Sequence, residues 1–110
     1  MPDPKKRLAM LEQLTASGKA DSFAWYALAL EYKNAGQIAA ALASFERLRT
    51  ADAAYLPMYL MAGAMLSEAG RGSEAREWLE QGSVLARTRG DAKALGELAE
   101  ALAQLDPSSG

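Results

Sequence analysis

The chain has 110 residues, half of them hydrophobic, with 12 basic and 14 acidic side chains and a formal charge of −2, which is the size of one ordinary domain. Cysteine and histidine are absent, which excludes thiolate nucleophiles, disulfides, imidazole bases and the usual zinc and haem ligands. So small and evenly mixed a charge excludes a nucleic-acid footprint and gives no attraction to an anionic membrane surface.

Valine occurs only at Val84 and isoleucine only at Ile38, while alanine, leucine, glutamate and arginine dominate. That composition suits helices and starves strands, so the class is all-α. The first helix is expected over residues 4–17, where Leu8, Leu11 and Leu14 form one apolar stripe. Lys5-Lys6-Arg7 reads as a solvated charge run rather than a targeting signal, because no unbroken apolar run follows it, and nowhere is there a stretch able to span a bilayer. The second helix, over 22–35, carries Trp25, Leu28, Ala29 and Tyr32 at helical spacing, with Asp21 or Ser22 placed to cap it. Asn34-Ala35-Gly36-Gln37 then supplies a short turn with glycine just past the helix end. So short a link obliges the next helix, over 38–51 with Ile38, Ala41, Leu42, Phe45 and Leu48, to lie antiparallel to it. A fourth helix is expected over 56–69, with Pro57 in its first turn, and a fifth over 73–89, with Ser73 as its cap. Glu74, Glu77 and Glu80 with Arg76 follow the spacing of a solvated helix face, and Gly70-Arg71-Gly72 lacks the lysine and preceding strand of a phosphate loop. The sixth helix, over 92–105, carries Leu95, Leu98, Ala99 and Leu102, and Asp106-Pro107-Ser108-Ser109-Gly110 ends the helical pattern as a tail.

A shift of 34 residues superimposes Trp25 on Tyr59, Leu28 on Ala62, Ala29 on Gly63, Tyr32 on Leu66, Gly36 on Gly70, Ala41 on Ala75 and Phe45 on Leu79. A fixed period of this length is the mark of a helical repeat array. The pattern Trp25-x-x-Leu28-Ala29-x-x-Tyr32, then Gly36, Ala41, Phe45 and Leu48, resembles the tetratricopeptide repeat. The second unit resembles it through Tyr59, Ala62, Gly63, Leu66, Gly70, Ala75 and Leu79. Gly82 departs from the family's usual alanine, and Ala53 stands in place of the proline that commonly closes a repeat. The resemblance implies a short right-handed alpha-alpha superhelix of antiparallel hairpins, about six helices in one domain over 1–110: an N-terminal capping helix (4–17), repeat 1 (22–55), repeat 2 (56–89), a C-terminal capping helix (92–105) and a tail (106–110). The last helix falls two residues late in the repeat, the extra pair lying in Arg87-Thr88-Arg89-Gly90-Asp91 and either lengthening the preceding helix or loosening the turn. Trp25, Tyr32 and Phe45 are expected to fill the core beside small residues at Ala29, Ala41, Gly63 and Ala75, so that Trp25→Ala costs about 3–5 kcal/mol.

The same resemblance implies a protein-binding groove on the concave side, lined by the first helix of each hairpin: Phe23, Tyr26, Leu30, Lys33 and Asn34 in repeat 1, and Leu60, Met61, Ala64, Ser67 and Glu68 in repeat 2. Some members of the family grip a chaperone's C-terminal carboxylate with lysine, arginine and asparagine along that groove. Here Tyr26, Leu30 and Met61 fill key positions, so an apolar ligand is expected, either an extended segment or an amphipathic helix. An exposed apolar patch of this kind marks an interaction site, unless the last helix covers it or a second copy does, as in a homodimer. No enzyme activity, cofactor or metal is expected, and a cytoplasmic location is.

Overall fold

A computed structural model describes residues 3–105. It holds six helices and, among the described residues, no strand: α1 (Pro4–Ala16), α2 (Ser22–Asn34), α3 (Ile38–Ala51), α4 (Pro57–Glu68), α5 (Gly72–Arg89) and α6 (Ala92–Ala103). The helix ends lie within two residues of those expected from the sequence. The tail predicted over 106–110 lies outside the described residues. The chain divides into two compact units, Met1–Ala53 and Ala54–Gly110.

In the first unit α2 packs against both α1 and α3. Each of the first two helices begins on an aspartate whose carboxylate accepts a first-turn amide: Asp3 from Lys5 N at 2.9 Å and Asp21 from Ala24 N at 2.8 Å. Asp21, not Ser22, is therefore the cap of α2; Ser22 instead donates its hydroxyl to Asp52 Oδ2 at 2.7 Å, tying the start of α2 to the end of α3. The turn between them reverses at Gly36, whose φ of 77° suits glycine alone without steric cost. Gln37 N donates to Tyr32 O at 2.9 Å and Gly36 N to Lys33 O at 3.0 Å, which satisfies carbonyls that the helix end leaves without partners. The core is Leu11, Ala24, Leu28, Ala29, Ala41, Phe45 and Leu48. Trp25 departs from the expectation: it is half-buried, with the Arg47 guanidinium 5.3 Å from its ring centroid. The reason is local. Ser44 of α3, which borders the same hollow, is too small to cover an indole, and the side chain over the ring is the long, charged Arg47.

In the second unit α5 packs on α4 and on α6. Pro57 occupies the first turn of α4, where its missing amide has no helical partner to lose. Ser73 is not a cap. Helix α5 starts one residue earlier, and Arg71 at its cap position makes no side-chain cap bond but pairs in bidentate fashion with Glu74, two contacts of 2.8 Å. Helix α5 has 18 residues against 14 in α3, four more, while the link that follows is shorter, so the two extra residues of the repeat lengthen the helix rather than loosen the turn. It ends at Gly90, where Asp91 N reaches Ala86 O at 2.9 Å and the Asp91 carboxylate in turn caps α6 through Ala94 N at 3.0 Å.

Two glycines set how closely these helices approach. A Cβ on Gly63 would stand 2.5 Å from Leu79 Cδ2, and one on Gly82 would stand 2.6 Å from Tyr59 Cβ and 3.0 Å from Leu98 Cδ2. The departure at Gly82 thus has a cause: α4, α5 and α6 converge there and leave no space for alanine. Trp78, one position per repeat on from Ser44, is 3% exposed and packs its ring 6.0 Å from that of Tyr59. In α6 Leu98 is buried and Leu95 and Leu102 half-buried, but Ala99 is exposed, unlike its counterpart Ala29. The side of α6 carrying Leu98 faces α5 and α4, and Ala99 is turned away by about 100° of helix rotation.

Candidate interaction surface

The five residues predicted on the first-unit helix share one side of α2, because positions 23, 26, 30, 33 and 34 fall together on a 3.6-residue helix, opposite the buried Ala24 and Leu28. Phe23 is 66% exposed, which for a phenylalanine decides that this side is not part of the core. Asn34 is exposed, whereas Tyr26, Leu30 and Lys33 are half-buried. Tyr26 stands edge-on to Phe45, ring centroids 6.4 Å apart at 62°, so its ring is held in place by the core beneath it. The surface is an aromatic and aliphatic strip with a cation at one end.

On the second unit, Leu60, Met61, Ala64, Ser67 and Glu68 likewise share one side of α4, opposite the buried Tyr59, Ala62 and Leu66. Leu60, Met61 and Ala64 are half-buried, and Ser67 and Glu68 are exposed. This strip is apolar in its first half and polar in its second. Methionine, unbranched and polarizable, adapts its shape to what touches it.

The first unit also has two hollows that sequence reasoning did not foresee. One, of about 350 Å³, opens where α1, α2 and α3 meet, on the side of α2 turned away from Phe23 and Tyr26. Trp25, Leu28 and Tyr32 of α2 form its wall, with Glu12 and Thr15 of α1 and Ser44 of α3 around it. Tyr32 donates its hydroxyl to Glu12 Oε2 at 2.6 Å. That hydrogen bond first, then partial burial and the repulsion of a phenolate by the carboxylate, raises the Tyr32 pKa above its ordinary 10.0. The sequence did hold a signal for this hollow: the 34-residue shift that pairs Trp25 with Tyr59 also pairs Ser44 with Trp78, a loss of bulk on α3.

The other hollow, of about 430 Å³, lies at the start of α1 against the α2–α3 turn, lined by Lys5, Arg7, Glu31, Asn34 and Gln37 among others. Arg7 Nε stands 3.2 Å from Glu31 Oε1 there. Of the predicted strip, Asn34 thus also borders this second hollow. Among the described residues no group of acidic side chains is placed to hold a metal ion, and no helix is long and apolar enough to cross a membrane.

No family model matches the sequence, and no curated protein matches it at a significant level. Solved structures do. The chain is similar to the tetratricopeptide repeat domain protein of Salinibacter ruber, with a TM-score of 0.71 and 34% identity over 78% of this chain and 96% of that one. It is also similar to a protein of Bordetella parapertussis whose structure was solved in solution, with a TM-score of 0.76 and 28% identity over 89% of this chain and 85% of the other.

Proposed function

Since this chain belongs to the tetratricopeptide repeat family, we propose that it is a non-catalytic protein-interaction module that takes up apolar side chains of a partner polypeptide on the exposed sides of α2 and α4. The observation that carries this reading is Phe23, 66% exposed beside Tyr26 and Leu30 on a helix whose opposite side carries the buried Ala24 and Leu28. A solvent-exposed aromatic next to a half-buried tyrosine and leucine supplies contact area at low entropic cost, which is what anchor residues at interfaces do. The ligand is an extended segment or an amphipathic helix with apolar residues on one side. Lys33 at the end of the strip favours an acidic residue on the ligand, and such a rim pair contributes at most about 1 kcal/mol.

The test is capture of partners by the immobilised chain, identified by mass spectrometry, beside the variants Phe23→Glu and Met61→Glu. Phe23→Glu alters an exposed side chain, so its helical circular dichroism stays at the parent's level while capture falls at least about tenfold, the equivalent of 1.4 kcal/mol. A folded Phe23→Glu, Met61→Glu double variant that captures the same proteins in the same amounts removes this face from consideration. Sedimentation of the same samples separates a second copy from a foreign partner: a dimer that dissolves in the variant assigns the strip to self-contact.

A further inference from the structure

We propose that the hollow between α1, α2 and α3 is a second, separate binding site, a receptor for the indole of a tryptophan on a partner. It lies on the other side of α2 from the strip above and does not depend on it.

The two units meet the same packing problem with different residues. In the second unit the ring at the repeat's first aromatic position, Tyr59, is covered by Trp78 from the next helix, and Trp78 is 3% exposed. In the first unit the equivalent ring is Trp25 and the equivalent position on the next helix is Ser44, whose hydroxyl turns back to Ala40 O at 3.1 Å; what lies over the indole there is the Arg47 guanidinium, 5.3 Å from the ring centroid. Trp25 is left half-buried and a hollow of about 350 Å³ opens beside it. That volume is at the small end of ligand pockets, which are on the order of 300–1,000 Å³, and so takes one side chain rather than a length of backbone.

The chemistry of the walls selects the side chain. Trp25 and Tyr32 contribute aromatic and Leu28 aliphatic side chain to the lining, which suits an aromatic ring in tilted or edge-on contact. At the rim the Glu12 carboxylate has one oxygen engaged by Tyr32 and a second able to accept a proton donor. A ring that carries its own N–H, as indole does, satisfies both the apolar walls and the carboxylate; phenylalanine satisfies only the first and leaves the acceptor unused. No basic side chain lines the hollow among the described residues, so the rim favours a donor over an acceptor.

The probe is N-acetyl-tryptophanamide, titrated into the full chain labelled with nitrogen-15, with N-acetyl-leucinamide as the control. Amide shifts confined to Thr15, Ala16, Ala40 and Ser44 that saturate with a millimolar dissociation constant are the expected result, with the leucine analogue at least about tenfold weaker. Ser44→Trp places in the first unit the residue that already fills the equivalent position in the second, and abolishes those shifts. Ala16→Trp, at an exposed residue bordering the hollow, blocks the same space without entering the core and serves if Ser44→Trp does not fold. Glu12→Gln weakens the tryptophan probe several-fold and leaves the leucine control unchanged, whereas Phe23→Glu changes neither. Shifts that do not saturate, equal binding of the two probes, or undiminished binding in a folded Ser44→Trp or Ala16→Trp variant overturns the proposal.

Discussion

Gly82→Ala adds a single carbon where three helices converge, and the structure sets its cost. The new Cβ would sit 2.6 Å from Tyr59 Cβ, 3.2 Å from Tyr59 Cγ and 3.0 Å from Leu98 Cδ2. Tyr59 Cβ is fixed to the α4 backbone, so rotation of a flexible side-chain end gives no relief and α4 and α5 must move apart. Overpacking of this kind costs about 1–3 kcal/mol. Alanine's better helix propensity returns about 1 kcal/mol, leaving a net loss of up to about 2 kcal/mol out of a total stability of about 5–15 kcal/mol. Each kcal/mol lowers the melting temperature of a domain this size by about 4–8 °C. Gly96 is the internal control, because it lies within α6 and a Cβ there meets nothing within 4 Å. Gly96→Ala is therefore expected to gain about 0.5–1 kcal/mol from propensity alone. Thermal and denaturant melts followed by circular dichroism read both. A Gly82→Ala protein that melts above the parent by as much as Gly96→Ala does refutes the close approach of α4, α5 and α6 at that residue.

Phe45 is fully buried and Trp25 only half so, and truncation of the two therefore separates them. Phe45→Ala costs about 3–5 kcal/mol and Trp25→Ala distinctly less, reversing the rank expected from side-chain size alone; chemical denaturation at equal protein concentration measures the difference. Tyr32 titrates later than an ordinary tyrosine because its hydroxyl donates a hydrogen bond to the Glu12 carboxylate. Its pKa is higher folded than unfolded, so its contribution is complete below about pH 10 and is lost as pH rises through the folded value. Between neutral and strongly alkaline pH the parent is thus expected to lose more stability than Tyr32→Phe, and equal losses contradict the Tyr32–Glu12 bond.

The sequence by itself determined the helices and their pairing. Residues repeating at 3.6-residue spacing, glycines 34 apart at Gly36 and Gly70, and an aspartate at Asp21 act within a few residues of chain, so their effect is readable without knowing what lies across the interface. The family resemblance picked out the α2 and α4 strips, and that each runs along one helix side follows from the spacing of its residues. Tertiary structure decided what each buried position costs. Trp25 looked like core because it is large and in register, yet α3 brings Arg47 over its ring and only a small Ser44 to the hollow beside it; Gly82 looked like a mere departure from the pattern until Tyr59 and Leu98 closed on it; Ala99 fell in register but found no cover. Burial belongs to pairs of residues far apart in sequence, and a size written at one position has no consequence until the structure names its neighbour.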